Sequence, residues 1–330
     1  MESAEETQRQ SEQVQRPRVV IAVLTYKRPA DLATVLPMLV AQAADAAGLA
    51  DVRVLVVDND PDGSARATVE AYLGDASGAG DTQVEYHNET TPGIAAARNC
   101  ALAGAAGDDV LVFIDDDERP TGRWLVELLT TYRTYGSAAV AGPVISEYEV
   151  EPDAWIAAGD FFRRRRLPTG TPLEVAATNN LLLDMKVVRR LGLGFDVDLG
   201  LTGGSDTLFT RKIRDAGCTL TWCDDAIVID VVPASRLTRS WVLRRALRSG
   251  NSWSLTSLML ADGSAARLRR RAELTARGSV RLAGGSAQIV AGLATRSLRR
   301  RAHGQRTLAR GAGMAAGAWG YVYREYRRTP

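Results

Sequence analysis

The chain has 330 residues, 45% hydrophobic and 24% charged, a globular composition that excludes collagen-like, fully disordered and small disulfide-stapled proteins. Its three cysteines show no metal-site spacing, which predicts free buried thiols in a reducing compartment, and its two histidines exclude a multi-histidine zinc site. The net charge of +2 hides an asymmetry. Residues 261–330 carry fifteen arginines and three acidic residues, a net of +12, which leaves −10 for the first 260. This split predicts an acidic catalytic part and a basic tail for an anionic surface.

Residues 1–17 are polar, which predicts a disordered lead and no signal peptide. No apolar run reaches the 18 or more residues that a membrane-spanning helix needs.

Strand and helix patterns then alternate along the chain. Short apolar runs predict strands at residues 19–24, 52–57, 83–87, 109–114 and 138–144. Helices are predicted at 30–47, from Thr91-Pro92 and from Thr121 to 135, with the two threonines as N-caps. Such alternation predicts an α/β fold with a mostly parallel sheet, whose ligands bind beyond the carboxyl ends of the strands.

The alternation stops near residue 145. A loop-rich region with four arginines at 163–166 follows, and a strand is predicted at 175–183, broken by Asn179 and Asn180. Gly203 and Gly204 are expected to open a helix to residue 216, before short strands at 219–222 and 226–231. From residue 236 onward the pattern is helical and basic.

Three polar segments follow predicted strands, at Thr25, at Asp58 and at the run Asp115, Asp116 and Asp117. Adjacent carboxylates repel one another unless a cation lies among them, and hard oxygen ligands suit Mg²⁺ or Mn²⁺. The alternative is an exposed acidic turn. The position at a parallel strand's end favours a metal site.

Five segments follow one another along the chain: Val-Leu-Thr-Tyr-Lys-Arg-Pro (23–29), Val-Val-Asp-Asn-Asp (56–60), Pro-Gly-Ile-Ala-Ala-Ala-Arg-Asn (92–99), Phe-Ile-Asp-Asp-Asp-Glu (113–118) and Gly-Gly-Ser-Asp-Thr-Leu-Phe (203–209). In this order and spacing they resemble glycosyltransferase family 2. The resemblance covers about residues 18–250 and is nearest to the succinoglycan-type bacterial glucosyltransferases of exopolysaccharide synthesis. It implies a GT-A fold, a nucleotide-sugar donor, a divalent metal and inversion at the anomeric carbon.

The resemblance also implies roles in donor binding. Thr25 and Arg28 would line the nucleotide pocket, and Asp58 would accept a hydrogen bond from the uracil imide of a UDP donor. The alternative role of Asp58 is to stabilise the turn that contains Asn59 and Asp60.

The next motif of the resemblance supplies two more donor-binding candidates. Arg98 and Asn99 would approach the nucleotide, unless they form structural contacts instead.

The acidic run would serve donor and metal together. By the same resemblance, Asp115 would contact the ribose or base, Asp117 would bind the metal that bridges the two phosphates, and Asp116 could do either.

Asp206 lies where the family places its catalytic base, with a helix N-cap as the alternative. Ser205 stands where the family commonly has Glu, which puts one acceptor contact in doubt. Asp230 stands where family members often have a metal-binding His. It could ligate Mg²⁺ or Mn²⁺ through oxygen, or be a plain strand-end residue.

The Gln-x-x-Arg-Trp signature of processive synthases is absent from residues 241–248, which favours transfer of one sugar per encounter. Arg245 and Arg248 could contact the diphosphate, or could be solvated helix arginines. Asn180 is assigned with Ser205 to the acceptor or diphosphate side.

Two apolar runs in the tail, residues 282–295 and 311–323, are separated by six arginines. Neither spans a bilayer, but both could lie in its interface as helices, aided by Trp319, Tyr321, Tyr323 and Tyr326. The alternative is that they pack on the catalytic domain or on a partner subunit. A nucleic-acid partner is not expected, since no binding module is present.

The patterns and the resemblance together predict three parts: a lead at 1–17, a GT-A catalytic domain at 18–250 and a basic helical region at 251–330. The function that the resemblance implies is an inverting, metal-dependent transfer of a hexose from a nucleotide donor, expected to be a UDP-sugar, to a lipid-linked, polysaccharide or small-molecule acceptor. The predicted location is the cytoplasm, peripheral on the inner face of the plasma membrane. A nucleotidyltransferase and an inactive nucleotide-sugar-binding scaffold are the alternatives; the first would want a glycine-rich loop at residues 25–29, which contain no glycine.

Overall fold

A computed structural model describes residues 16–74, 82–200 and 202–323. Nearly all of the predicted lead, and Tyr326 in the tail, lie outside the described residues.

The strands are β1 Arg18–Thr25, β2 Asp51–Asp58, β3 Val84–Asn88, β4 Val110–Asp115, β5 Glu118–Pro120, β6 Ala139–Ala141, β7 Val144–Tyr148, β8 Asn180–Asp184, β9 Leu220–Trp222 and β10 Val228–Val232. The α-helices are α1 Pro29–Asp45, α2 Arg66–Gly74, α3 Ile94–Gly104, α4 Trp124–Tyr135, α5 Ala154–Gly159, α6 Met185–Arg190, α7 Ser205–Asp215, α8 Arg239–Met259, α9 Gly263–Ala294 and α10 Leu298–Ala318. Short 3₁₀ turns lie at Val197–Leu199 and Ala234–Arg236.

The central sheet has seven strands in the order β3-β2-β1-β4-β8-β6-β9. The pairs among β3, β2, β1 and β4 are parallel, β8 is antiparallel to both its neighbours, and β9 is parallel to β6. The predicted mostly parallel α/β sheet is therefore confirmed. A second sheet, β5-β10-β7, lies beside it.

Strand β1 reads as an unbroken apolar run because both faces of the sheet are covered. Val19, Ile21 and Val23 belong to one buried cluster, which includes side chains of α1 and α4. Val20 and Ala22 belong to the other, which includes side chains of α3 and α7. The buried sheet gives a rigid base for the loops at its carboxyl edge.

The two predicted threonine N-caps are wrong. Helix α3 begins at Ile94 after Gly93, whose φ of 120° suits glycine and whose N–H donates to Asn59 Oδ1 at 3.0 Å. Helix α4 begins at Trp124, and the Thr121 hydroxyl instead donates to the carbonyl of Ile227. In both places a tertiary hydrogen bond replaces local capping.

The single strand predicted at 138–144 is also wrong, because it divides into β6 and β7. A Cβ at Gly142 would lie 2.1 Å from the carbonyl oxygen of Ala226, so the chain bends there against a neighbouring backbone. The strand predicted from residue 175 begins only at Asn180, and the three-residue β5 has no counterpart in the prediction.

The helices α8, α9 and α10 form one layer, in which α10 packs on both others. Gly278, Gly285 and Gly292 recur at every seventh position of α9 and are buried against α10. Helix α8 continues through residues 250 and 251, so the domain boundary proposed from the sequence falls inside a helix.

The two apolar runs of the tail have different environments. Gly311, Met314 and Ala318 of the second run are buried inside the helical layer, which is the packing alternative, whereas Trp319 and Tyr321 at its end are exposed. The first run keeps one exposed face on α9, where Val290 and Leu293 are solvent-accessible. Among the described residues, no helix is long and apolar enough to cross a membrane.

Candidate active site

The register of the central sheet brings the polar strand ends together. Thr25 at the end of β1 pairs with Asp58 of β2, and Leu24 pairs with Asp115 of β4. The three polar segments that follow β1, β2 and β4 therefore share one edge of the sheet, as the alternation of strands and helices in the sequence predicted.

The acidic run is held by arginines. Arg28 Nη1 donates to Asp116 Oδ1 at 3.1 Å and to Asp117 Oδ2 at 2.8 Å, and Arg236 Nη2 lies 3.4 Å from the same Asp117 oxygen. Burial raises the pKa of Asp116 to about 6, although the charge of Arg28 lowers it. Burial lowers the pKa of Arg28, but the two carboxylates raise it above its usual range.

The pKa of Asp115 is raised further than that of Asp116. Burial first, and then the charge of Asp117, raise the pKa of the Asp115 carboxyl to about 7, while Arg98 and Arg164 act in the opposite direction. A carboxyl with a raised pKa indicates negative charge that its surroundings do not fully neutralise.

The second sheet adds another pair of carboxylates. Glu118 of β5 and Asp230 of β10 are cross-strand partners. Asn179 Nδ2 donates to Glu118 Oε1 at 2.6 Å, and Arg164 Nη2 donates to Asp230 Oδ2 at 3.0 Å. Burial, followed by the charge of Asp115, raises the pKa of Glu118 well above its usual value.

Sequence reasoning assigned no role to Glu118, Asn179, Arg164 or Arg236. Glu118 follows the acidic run directly, and Arg164 belongs to the arginine run at 163–166, so both positions carried a signal. For Asn179 and Arg236 only the three-dimensional arrangement identifies the contact.

Positive charge is concentrated opposite the carboxylates. Burial first, and then Arg164 and Arg248, lower the pKa of Arg245 to about 10, while Asp230 raises it. The guanidinium of Arg245 also lies 5.0 Å from the ring centre of Trp241. Excess positive charge next to excess negative charge suits a ligand that contains both an anion and a cation.

Within the described residues, no three His, Cys, Asp or Glu side chains already converge on one ion position. The donors nevertheless fit a hard divalent cation, because they are all carboxylates. Two carboxylate oxygens, Glu118 Oε2 and Asp230 Oδ1, are buried without a hydrogen-bond partner. The other oxygen of Asp230 pairs with Arg164, and Asp117 pairs with Arg236.

Asp206 lies in the first turn of α7. Gly203 and Gly204, with φ of 80° and 99°, turn the chain into the helix, and Gly204 is the N-cap. The N-cap alternative for Asp206 is therefore wrong. Its Oδ1 accepts a hydrogen bond from the N–H of Thr207 at 2.7 Å.

Arg98 links the base candidate to the acidic run. Its Nη1 donates to the hydroxyl of Ser205 at 2.7 Å, and its charge acts on Asp115. The guanidinium also lies 5.4 Å from the ring centre of Phe195. The serine at position 205 thus has a defined partner where the family commonly has Glu.

Three other candidates make internal contacts. Asp58 is completely buried and accepts hydrogen bonds from Asp60 N, Ala65 N and Tyr86 Oη, which is the turn-holding alternative. Asn99 exchanges two hydrogen bonds with the backbone of Phe195.

Asn180 is the third of these candidates. It accepts from Trp124 Nε1 and donates to two backbone carbonyls in the core. In this arrangement Asp58, Asn99 and Asn180 position the walls of the site.

Comparison with known proteins agrees with this geometry. Residues 20–192 match glycosyl transferase family 2. Succinoglycan biosynthesis protein ExoM of Rhizobium meliloti is 37% identical over 232 residues, 70% of this chain and 72% of that protein. Glycosyltransferase AglE of Haloferax volcanii is 29% identical over 174 residues, 53% and 55% of the two chains.

Among solved structures, mannosyltransferase PcManGT from Pyrobaculum calidifontis, in complex with GDP-Man and Mn²⁺, is similar over 92% of this chain and 88% of that one. The TM-score is 0.62 and the sequence identity 19%, so this similarity concerns the fold.

The parallel sheet with acidic strand ends defines a GT-A glycosyltransferase fold. The chain belongs to glycosyltransferase family 2, as the five motifs predicted.

Proposed function

We propose that this glycosyltransferase moves a hexose from a nucleoside-diphosphate sugar, with a divalent cation, and inverts the anomeric carbon. The observation that carries the proposal is the edge of the central sheet, where the carboxylates of Asp115, Asp116 and Asp117 lie beside arginines. A metal–diphosphate ligand needs carboxylates for the metal and guanidinium groups for the phosphates.

Asp117 and Asp230 are proposed to hold Mg²⁺ or Mn²⁺, with Asp115 and Asp116 towards the donor. A bound cation would neutralise charge that develops on the leaving diphosphate. Before the cation binds, Arg28, Arg236 and Arg164 neutralise these same carboxylates. Arg164, Arg236, Arg245 and Arg248 are then available to the diphosphate oxygens.

Asp206 is proposed as the general base. Its carboxylate takes the proton of an acceptor hydroxyl while the hydroxyl oxygen attacks the anomeric carbon. The bond between that carbon and the diphosphate oxygen breaks, and the nucleoside diphosphate leaves with the electron pair. One in-line displacement inverts the configuration.

The name of ExoM places that relative in succinoglycan biosynthesis. Its 37% identity supports a role of this chain in exopolysaccharide synthesis. From the resemblance of the motifs we infer UDP as the nucleotide, glucose or another hexose as the sugar, and a lipid-linked, polysaccharide or small-molecule acceptor. The net charge of +12 on residues 261–330 supports peripheral association of the C-terminal helices with an anionic membrane.

The test begins with saturable binding of UDP-, dTDP- and GDP-sugars, followed by donor turnover with Mn²⁺, with Mg²⁺ and with excess EDTA. Asp117→Asn should abolish metal-dependent turnover while the thermal unfolding profile stays cooperative. Full activity of that variant, or of the wild type in EDTA, would refute the metal role.

Matched controls separate the remaining alternatives. Asp62→Asn changes a carboxylate in the loop after β2 and should leave turnover unchanged. Formation of a nucleoside diphosphate identifies sugar transfer or donor hydrolysis, whereas pyrophosphate release would identify a nucleotidyltransferase. Binding without turnover, with every acceptor tried, would support the inactive scaffold.

A further inference from the structure

The outward side of α9 is an extended uncharged face with no partner among the described residues. We call the exposed residues Ala272, Ala276, Ser279, Val280, Ala283, Ser286, Ala287, Val290, Leu293 and Ala294 the α9 outer face. They lie on the side opposite Gly278, Gly285 and Gly292, which pack on α10. The face spans 23 residues, roughly 34 Å of helix.

The apolar side chains of this face are unusually accessible. Val280 is 72% exposed, Val290 65% and Leu293 56%. In a chain whose other valines and leucines are mostly buried, three such side chains along one helix form a patch that marks an interaction surface.

Arginines lie at both ends of the face. Arg269 precedes it on the same helix, with 79% of its side chain exposed and its Nε 3.8 Å from Glu273 Oε1. At the other end, a groove of about 620 Å³ is lined by Ala287, Gln288, Ala291, Arg299, Arg300 and His303. An apolar strip flanked by cations matches a bilayer surface, where acyl chains and anionic phosphates lie side by side.

We propose that the α9 outer face is the surface on which this protein lies on an anionic bilayer, with Arg299 and Arg300 at lipid phosphate groups. The inference rests on the proposed membrane association and specifies its surface. A second copy fits the face less well, because it would have to bring a carboxylate to Arg299 and Arg300, and none of the residues that line the groove is acidic.

The burial of the two apolar runs could not be read from the sequence pattern alone. Residues 282–295 reach the surface along one face of α9, whereas residues 311–318 are packed between α8 and α9, and the large exposed side chains of the second run lie after α10, at Trp319, Tyr321 and Val322. Membrane contact through the α9 outer face therefore needs no unpacking of the helical layer.

The experiment measures co-sedimentation of the full chain with phosphatidylcholine vesicles and with vesicles that also contain phosphatidylglycerol. We expect the wild type to bind only the second kind. Each arginine near such a surface contributes about fivefold in affinity, so Arg299→Glu with Arg300→Glu should weaken binding by about 25-fold or more. Val290→Asp with Leu293→Asp should weaken it about tenfold or more.

Matched controls carry the same substitutions elsewhere. Leu73→Asp places a charge on an exposed leucine of α2, and Arg123→Glu reverses a 71% exposed arginine before α4. Both should bind the anionic vesicles as the wild type does. Metal-dependent donor turnover without vesicles should be unchanged in all four proteins.

The outcomes are distinct. If the wild type does not co-sediment with anionic vesicles, both the membrane association and this surface are wrong. A wild type that binds, with the α9 variants indistinguishable from the controls, overturns this surface alone. If sedimentation velocity shows a wild-type dimer that Val290→Asp with Leu293→Asp dissociates, the face is an interface between copies and the proposal is wrong.

Discussion

The sheet edge and the C-terminal helical layer use charge in opposite ways. At the sheet edge, carboxylates and guanidinium groups are partly buried against each other, as in the contacts of Arg28 with Asp116 and Asp117. In the helical layer arginines greatly outnumber carboxylates, and the helices meet through glycine backbone.

The two regions therefore limit substitutions for different physical reasons. The raised pKa values of Asp115 and Asp116 mean that ionisation of the acidic run opposes folding, so these residues cost stability that a ligand could offset. In the helical layer the constraint is steric, since a single methyl group in the wrong place separates two helices. Substitutions can therefore test the two regions separately.

The largest expected effect concerns Asp206. Asp206→Asn keeps the shape of the side chain but removes its basicity, so donor affinity should be nearly unchanged while turnover falls roughly 10²–10⁴-fold. Because Gly204 is the N-cap, the melting temperature should hardly change. Asp215→Asn, at the other end of the same helix, is the matched control and should keep full turnover. A product with retained anomeric configuration would contradict the mechanism.

A second prediction tests whether the acidic run opposes folding. The pKa of Asp115 is about 7 in the folded protein against an ordinary value of 3.8, so the folded state binds this proton more tightly than the unfolded state. Proton binding by the Asp115 carboxyl therefore adds to the free energy of unfolding. This stabilisation is complete below a pH of 3.8 and is lost as the pH rises to about 7, by at most about 1.4 kcal/mol per pH unit.

Asp115→Asn removes that loss. In metal-free buffer the variant should melt at a higher temperature than the wild type above a pH of about 7, and the difference should shrink as the pH falls towards 3.8. Asp51→Asn, at the exposed start of β2, is the control. Thermal melts across this range decide the matter, and equal stabilities at both ends would show that Asp115 is not destabilising.

The sequence predicted most of the catalytic half because its signals are local. Apolar runs mark the strands, and parallel pairing forces their carboxyl ends together, so Asp115 and Asp58 could be placed at one edge without coordinates. The sequence could not show that the carboxylate of Asp58 is enclosed by its own turn and by Tyr86. Tyr86 belongs to β3 and lies 28 positions further along the chain.

The helical half was less predictable from the sequence. An apolar run on a helix looks the same whether it is exposed or packed on another helix, and residues 282–295 and 311–318 proved to differ in this respect. The heptad spacing of Gly278, Gly285 and Gly292 carried the missing information, since glycine at one helical face permits close backbone approach.

A third prediction exploits two adjacent glycines of α9. A Cβ at Gly285 would lie 2.7 Å from Leu308 N and 2.8 Å from Gly304 O, both of them backbone atoms, whereas a Cβ at Gly284 meets nothing within 4 Å. Gly285→Ala should therefore lower the free energy of unfolding by about 1–3 kcal/mol. Gly284→Ala should raise it by about 0.5–1 kcal/mol, since alanine is the better helix former. Chemical denaturation of the two variants gives the sign, and equal shifts would contradict the close packing.

The smallest expected effect on turnover lies at Ser205, which accepts a hydrogen bond from Arg98 next to the base candidate Asp206. Ser205→Ala removes the oxygen that accepts from Arg98 at 2.7 Å, so this guanidinium loses one partner inside a partly buried site. Losing a hydrogen bond to a charged group costs about 1.5–3 kcal/mol of stability. Turnover should fall by no more than about tenfold, because the first turn of α7 keeps its glycine entry and Asp206 keeps its carboxylate.

Ser257→Ala is the control with matched chemistry, since the Ser257 hydroxyl of α8 accepts a hydrogen bond from Arg211 Nη1 of α7 at 3.0 Å. If Arg98 positions the base, the two variants should lose similar stability while only Ser205→Ala loses turnover. Equal turnover in both would mean that the contact between Arg98 and Ser205 holds the fold alone.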